Sequence, residues 1–258
     1  MYSRTTSVAF RSHQWFVNYC SKINKNLPKT SFTASFVPIC RKNDPELSTC
    51  VIRAVNTIRP YLVEGIPEMD LPSGEPLRLF NATAKTIGVV TVSAKSWNLT
   101  GYGLMNFDIK SINFDFQNAK CSTKIFFPSI RLRGKYKFNG RVLLFQIDTI
   151  GDYDINATSV ATDTVLLGKF YTINSKRFIE FEKVQLHLKI GHAKVYFDNL
   201  LNQNEKITAT LNQAINENIE SIIEEMGPVI EETLGEMVRM YFNKVFRLFS
   251  LDILFPED

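Results

Sequence analysis

The stretch Ile130-Arg-Leu-Arg-Gly-Lys-Tyr-Lys-Phe138 decides how the middle of the chain folds. Ile130, Leu132, Gly134, Tyr136 and Phe138 fall on one side of an extended backbone; Arg131, Arg133, Lys135 and Lys137 fall on the other. Successive side chains in a strand point to opposite faces, so this reads as a half-buried antiparallel strand with one wet face. Asn139-Gly140 follows, a strong two-residue hairpin signal, and Arg141 to Thr149 reads as the returning strand. Val184, Leu186, Leu188 and Ile190 alternate with Lys183, Gln185, His187 and Lys189 in the same way. Ile87 to Val92, Asn106 to Phe116 and Ala161 to Ile173 also read as strands. From Pro76 to about Ile190 the pattern is a long antiparallel meander.

Beyond the meander the period changes. From Ile207 through Leu211, Ile215, Ile219 and Met226 to Val245, apolar residues recur every three or four positions, the spacing of a helix face. A continuous helix of that length spans roughly 57 Å, and Pro228 after Gly227 predicts a kink in it. Adjacent apolar pairs such as Ile222/Ile223, Val229/Ile230 and Met237/Val238 widen the stripe beyond a coiled-coil seam. Such a helix must be covered from more than one direction, and the curved face of the meander is its natural partner. A shorter helix is expected upstream, capped by Ser48 and carrying Val51, Val55, Ile58 and Leu62, with the turn-rich run Gly65 to Pro76 after it.

The chain has 258 residues, 45% of them hydrophobic, which is enough to bury a real core. No apolar run reaches the ~20 residues of a membrane-spanning helix, so no stable membrane insertion is expected. The formal net charge is +4, but seven of the 30 bases precede Asp44 and none of the 26 acids does, so the remainder carries −3. The base excess is thereby assigned to an N-terminal arm, and nucleic acid is not expected as a partner. Residues 1–29 read as that arm, an atypical signal region or a misassigned start, and residues 30–258 as a single domain. The arm is acid-free like a transit peptide and lacks the apolar h-region of a secretory signal.

Chemistry is poorly represented. There is no Gly-x-Ser-x-Gly elbow, no phosphate loop and no Cys-x-x-Cys or His-Glu-x-x-His pair. His187 lies on the polar face of its strand and His192 follows Gly191 in an expected turn, so neither reads as a base or a metal ligand. Glu217, Glu220, Glu224, Glu225, Glu231, Glu232 and Glu236 read as the solvated face of the long helix. No catalytic residue, metal site or cofactor is expected, and the sequence argues against an enzyme.

Cys40 and Cys50 flank the Asn43-Asp44-Pro45 turn, a separation that allows a loop-closing disulfide worth ~2–3 kcal/mol or two free buried thiols. Cys20 and Cys121 have no evident partner in the sequence. Three sequons, at Asn81, Asn98 and Asn156, lean toward an oxidising, extracellular setting. Tyr136, Phe138, Phe145, Met226, Met237 and Phe242 fall on inward faces, with Val55 and Leu62 on the first helix. They make either an ordinary core or the lining of an elongated apolar cavity.

Particular blocks carry a resemblance. Pro38-Ile-Cys-Arg-Lys-Asn-Asp-Pro-Glu-Leu-Ser-Thr-Cys50, with a helix ending in Glu64-Gly-Ile-Pro67, resembles the N-terminal signature of the takeout / juvenile-hormone-binding-protein family of insects. Glu75-Pro-Leu-Arg78 resembles its Asp-Pro-Leu segment, with Glu in place of Asp. Val195-Tyr-Phe-Asp-Asn-Leu-Leu-Asn202 and Leu251-Asp-Ile-Leu-Phe-Pro256 are similar to its C-terminal block. The resemblance implies an α+β fold in which a highly curved antiparallel sheet, a super-roll, wraps a long C-terminal helix and encloses a hydrophobic tunnel. It implies a secreted, monomeric, non-enzymatic carrier of juvenile hormone or another terpenoid or fatty-acid-like ligand, with links to circadian, feeding or chemosensory physiology. It also implies a Cys40–Cys50 disulfide; with no cysteine after Cys121, the chain resembles the takeout branch. Two other classes stand beside this one: an interaction or signalling protein that kept the fold without the cavity, and an intracellular lipid-transfer module.

Overall fold

Alternation of apolar and polar residues over unusually long stretches carries the chain into three very long strands. The computed structural model describes residues 38–78, 82–85, 90–142, 145–200 and 205–257. Helix α1 (Leu47–Glu64) and a short 3₁₀ turn (Pro67–Met69) come first. Then follow β1 (Leu77–Arg78), β2 (Ala82–Lys85), β3 (Val90–Tyr102), β4 (Asp108–Asp115), β5 (Lys120–Val142), β6 (Phe145–Ile173) and β7 (Lys176–Phe197). Helices α2 (Glu205–Glu217), α3 (Ile219–Leu248) and α4 (Leu251–Leu254) close the chain.

All seven strands form one antiparallel sheet in the order β1-β3-β5-β6-β7, with β2 also on β3 and β4 also on β5. At ~3.4 Å per residue β6 would run about 100 Å if straight, so it has to bend. The ladder itself is interrupted at several points. Register shifts fall between Trp97 and Thr100, where Asn98 takes φ 54°, and between Leu167 and Gly168. Ser159, at φ 53°, marks a third. At Gly168 the neighbouring strand comes so close that a Cβ would lie 2.3 Å from the Glu180 carbonyl oxygen.

The sequence reading of the meander holds for the described residues (Ile87 to Val89 of one expected strand lie outside them), with two local corrections there and one in α1. Asn139 and Gly140 are inside β5, and the pairing of Val142 with Phe145 puts the reversal beyond them. His192 is not in a turn; it lies within β7 opposite Thr158. Ser48 does not cap α1, whose N-cap is Glu46; the Ser48 hydroxyl accepts the Ile112 N–H at 3.4 Å and ties the helix to β4.

The long C-terminal helix is present but divided. The break falls at Asn218, whose amide bonds back to the Ala214 carbonyl, and α3 runs on through Pro228 for 30 residues. Against β7 the helix presents Gly235, whose missing Cβ would sit 3.4 Å from Val184.

Candidate functional site

The apolar side chains between sheet and helices collect into two dense clusters at the two ends of the sheet. The first joins α1, β4, β6, β7, α3 and α4 through Val51, Ile112, Leu166, Phe181, Phe246 and Phe255. Phe181 meets the Phe246 ring edge-on at 5.4 Å, and Phe114 lies 4.8 Å from Phe255. The second joins β5, β6, β7 and α2 through Tyr136, Tyr153, Val195, Leu211 and Ile215. Tyr136, Phe138 and Phe197 form its aromatic centre, with ring centroids 4.4–5.2 Å apart. Each fully buried side chain of this size contributes about 1.5–3 kcal/mol.

Between the clusters the packing changes character. Ile223, Met226, Ile230, Leu234 and Met237 of α3 belong to neither cluster and are half-buried, although they lie on the wide apolar stripe. Gly235, Asn243 and Phe246 are the buried residues of α3. A close-packed interior would bury a stripe of this kind throughout. The middle of α3 is therefore less completely covered than its two ends, although Val160 and Leu186 of the sheet are buried along the same stretch.

The residues proposed from sequence as lining fall into three groups. Tyr136 and Phe138 are in the second cluster, where the Tyr136 hydroxyl donates to the Asp198 carbonyl. Burial, with help from the Asp198 charge, pushes that hydroxyl well above the usual tyrosine range. Val55 and Phe242 pack against the first cluster, Phe242 stacking on Phe246 at 6.1 Å. Met226, Met237 and Leu62 are half-buried outside both clusters, and the Phe145 side chain lies outside the described residues. Among the sequons, Asn98 and Asn156 are exposed and Asn81 lies outside the described residues.

Polar side chains of the helices close the free edge of the sheet. Asn212 accepts the Phe197 N–H at 2.8 Å and donates to its carbonyl at 2.7 Å. Asn216 does the same to Val195 at 2.9 and 2.7 Å, and Asn243 to Phe181 at 2.8 Å each way. Each amide presents one acceptor and one donor, as a neighbouring strand would, so three side chains substitute for the missing partner of β7. Glu231 adds a fourth tie, accepting the Leu188 N–H at 2.8 Å with His187 Nδ1 at 3.0 Å. Glu231 is therefore not part of a solvated face. A depression of about 460 Å³ between β7 and α2, lined by Asn212, Asn216, Lys194 and Tyr196, marks where this closure occurs.

Two further ties fix the ends. Glu75 accepts the Gly103 N–H with both oxygens, at 2.9 and 3.0 Å, and the Met105 N–H at 3.5 Å, holding the β3–β4 turn. Cys40 and Cys50 are disulfide-bonded with Cα atoms 5.6 Å apart, and α1 begins inside the loop they close. Cys121 is free and fully buried, and burial pushes its thiol up to about 12. Cys20 lies outside the described residues. Among the described residues no group of His, Cys, Asp or Glu is placed to hold a metal ion, and no helix is long and apolar enough to cross a membrane.

The sequence reading missed Asn212, Asn216 and Asn243, and gave Glu75 no contact. The available signal was phase: Asn212 and Asn216 sit four apart, beside Leu211 and Ile215, on the side of the helix that should be apolar.

Comparison with known proteins agrees with this architecture. The crystal structure of Epiphyas postvittana Takeout 1 is similar at a TM-score of 0.72 and 18% identity, covering 83% of this chain and 97% of that one, which shows a shared fold. The circadian clock-controlled protein daywake of Drosophila yakuba is 19% identical over 220 residues, 81% of this chain and 84% of the relative. Its Drosophila melanogaster counterpart is 20% identical over 229 residues, 85% and 86% respectively. Residues 17–256 match the family described as haemolymph juvenile hormone binding protein (JHBP), and with nearly the whole chain covered, the protein belongs to that family.

Proposed function

We propose that the protein is a secreted, monomeric carrier that holds a small hydrophobic ligand, terpenoid or fatty-acid-like, along the middle of α3. The observation that carries this reading is the half-buried apolar run Ile223, Met226, Ile230, Leu234 and Met237 between two densely packed clusters. An elongated apolar space along this run would suit an extended chain or prenyl group, with affinity arising from apolar area removed from water at ~25 cal/mol per Å². The family is one of binding proteins for hydrophobic molecules, which supports a carrier over an enzyme. The Cys40–Cys50 disulfide and the family's haemolymph description support secretion. The clock-controlled description of the daywake relatives makes daily cycling of the protein's abundance the first physiological question to ask.

Native mass spectrometry of protein secreted from insect cells tests the proposal. The expected result is a monomer carrying a lipid adduct that a fluorescent fatty acid displaces. A monomer with no adduct, and no binding of the fatty acid after solvent extraction, would overturn it.

A further inference from the structure

The face of the sheet turned away from the helices is strongly basic. Strand register aligns Lys95 opposite Lys137, Trp97 opposite Lys135, and Tyr102 opposite Arg131. Arg78 follows Thr100 onto the same face, beside Arg133. On β6 and β7 the next positions outward are Asp148, Ile150, Asp152, Asp154 and Tyr196. Arg131 and Arg133 share Asp154, and Lys135 pairs with Asp152, so the bases outnumber the carboxylates among the described residues. The base excess that composition assigns to the arm therefore has a second location, on the folded part of a chain whose net charge beyond the arm is negative.

Two features of this face have no structural use. Like charges directly opposite one another weaken a sheet, and Lys95 and Lys137 are opposed with no ion pair to a described residue. Beside them stand side chains that lose by exposure: Ile150 is 52% exposed, Tyr196 56% and Tyr102 37%. Arg131 to Lys137 set four cations along roughly 20 Å of strand.

We infer that this outer face docks on an anionic phospholipid surface. Lysines and arginines meet lipid phosphates and carboxylates at the headgroup level, while Trp97, Tyr102, Tyr196 and Ile150 enter the interfacial layer, where amphipathic rings are most stable. A nucleic acid or a sulfated glycan would use the cations but not the exposed isoleucine. The anionic surface also offsets the Lys95–Lys137 repulsion. The inference stands apart from the carrier reading, since the patch faces away from the helices.

The test is co-sedimentation of the full chain with phosphatidylcholine vesicles, with and without phosphatidylserine. Binding is expected only with phosphatidylserine and should fall with salt. In Lys95→Gln/Lys137→Gln it should weaken roughly twenty-fivefold, at about fivefold per base. Lys169→Gln, at the far end of β6, leaves binding unchanged. Both variants keep the N-terminal arm, so arm-driven binding predicts no difference between them. With Trp15→Phe, Trp97 is the sole tryptophan, and its emission should shift to the blue on vesicles. Equal binding by the double variant, an unshifted Trp97 emission, or binding to heparin or RNA without binding to vesicles would each overturn the inference. Lipid co-purifying with the double variant, measured on the same sample, reports on the carrier proposal separately.

Discussion

Asn243 holds Phe181 by both sides of its peptide: the amide oxygen accepts the Phe181 N–H and the amide nitrogen donates to the Phe181 carbonyl, each at 2.8 Å. Both residues are buried, Asn243 to 4% exposure, so no solvent can take over either bond. Asn243→Leu keeps the volume and removes both partners. Leaving two buried backbone groups unsatisfied should cost about 2–4 kcal/mol. Urea denaturation of the two proteins measures it. A loss below about 0.5 kcal/mol would mean the clamp contributes nothing.

The Glu231 tie makes part of the α3–β7 contact acid-sensitive. Burial pushes the Glu231 carboxyl up, but the Leu188 N–H and then His187 outweigh it and hold it below the usual 4.5. A carboxylate with a depressed folded-state value contributes its stability fully above the ordinary carboxylate range and loses it as pH falls through the folded value. Glu231→Gln should therefore lower the urea midpoint at neutral pH. It should also flatten the loss of stability below about pH 4.5, so the two proteins converge in acid. A constant gap between them at all pH values would refute this linkage.

How far the sequence could be read depended on whether local or distant partners decided each feature. The outward row Arg131 to Lys137 and the inward Tyr136 and Phe138 were legible because period two is a local property of the strand. The Asn139-Gly140 signal is equally local, yet the long β5–β6 ladder places the reversal beyond it, so many cross-strand pairs outweighed one favourable turn. Ser48 and Glu231 were assigned to a cap and to solvent because their partners, Ile112 and Leu188, lie far away in the chain. The opposition of Lys95 and Lys137 was invisible for the same reason: only strand register brings them together. The two packed clusters and the less covered stretch of α3 between them depend on which side chains of α3 meet the sheet, and residue type does not encode that.

The cysteines should separate cleanly by chemistry. The thiolate is the reactive form, and burial holds the Cys121 thiol at about 12, so at about pH 8 it stays protonated and covered. Iodoacetamide should leave Cys121 unmodified in the folded protein and label it in urea, with peptide mapping to tell it from Cys20. Cys40 and Cys50 should label only after reduction. Reduction removes a short loop closure and should cost about 2.5 kcal/mol. Rapid labelling of Cys121 without denaturant would show that the first cluster opens.

Met226 tests whether the middle of α3 faces usable space. It is half-buried, lies on the apolar stripe and belongs to neither packed cluster. If ordinary packing surrounded it, replacing it with a larger ring would force neighbours aside at a cost of about 1–3 kcal/mol. If a ligand-sized apolar space adjoins it, the ring can enter that space at little cost and occupy the volume the ligand needs. Met226→Trp should therefore keep the urea midpoint close to the parent's and weaken fatty-acid binding at least tenfold, about 1.4 kcal/mol. Phe246→Trp, inside the first cluster, should do the opposite, losing stability through overpacking while binding is retained. If Met226→Trp destabilises as much as Phe246→Trp, the middle of α3 is filled core, and the carrier reading loses the observation on which it stands.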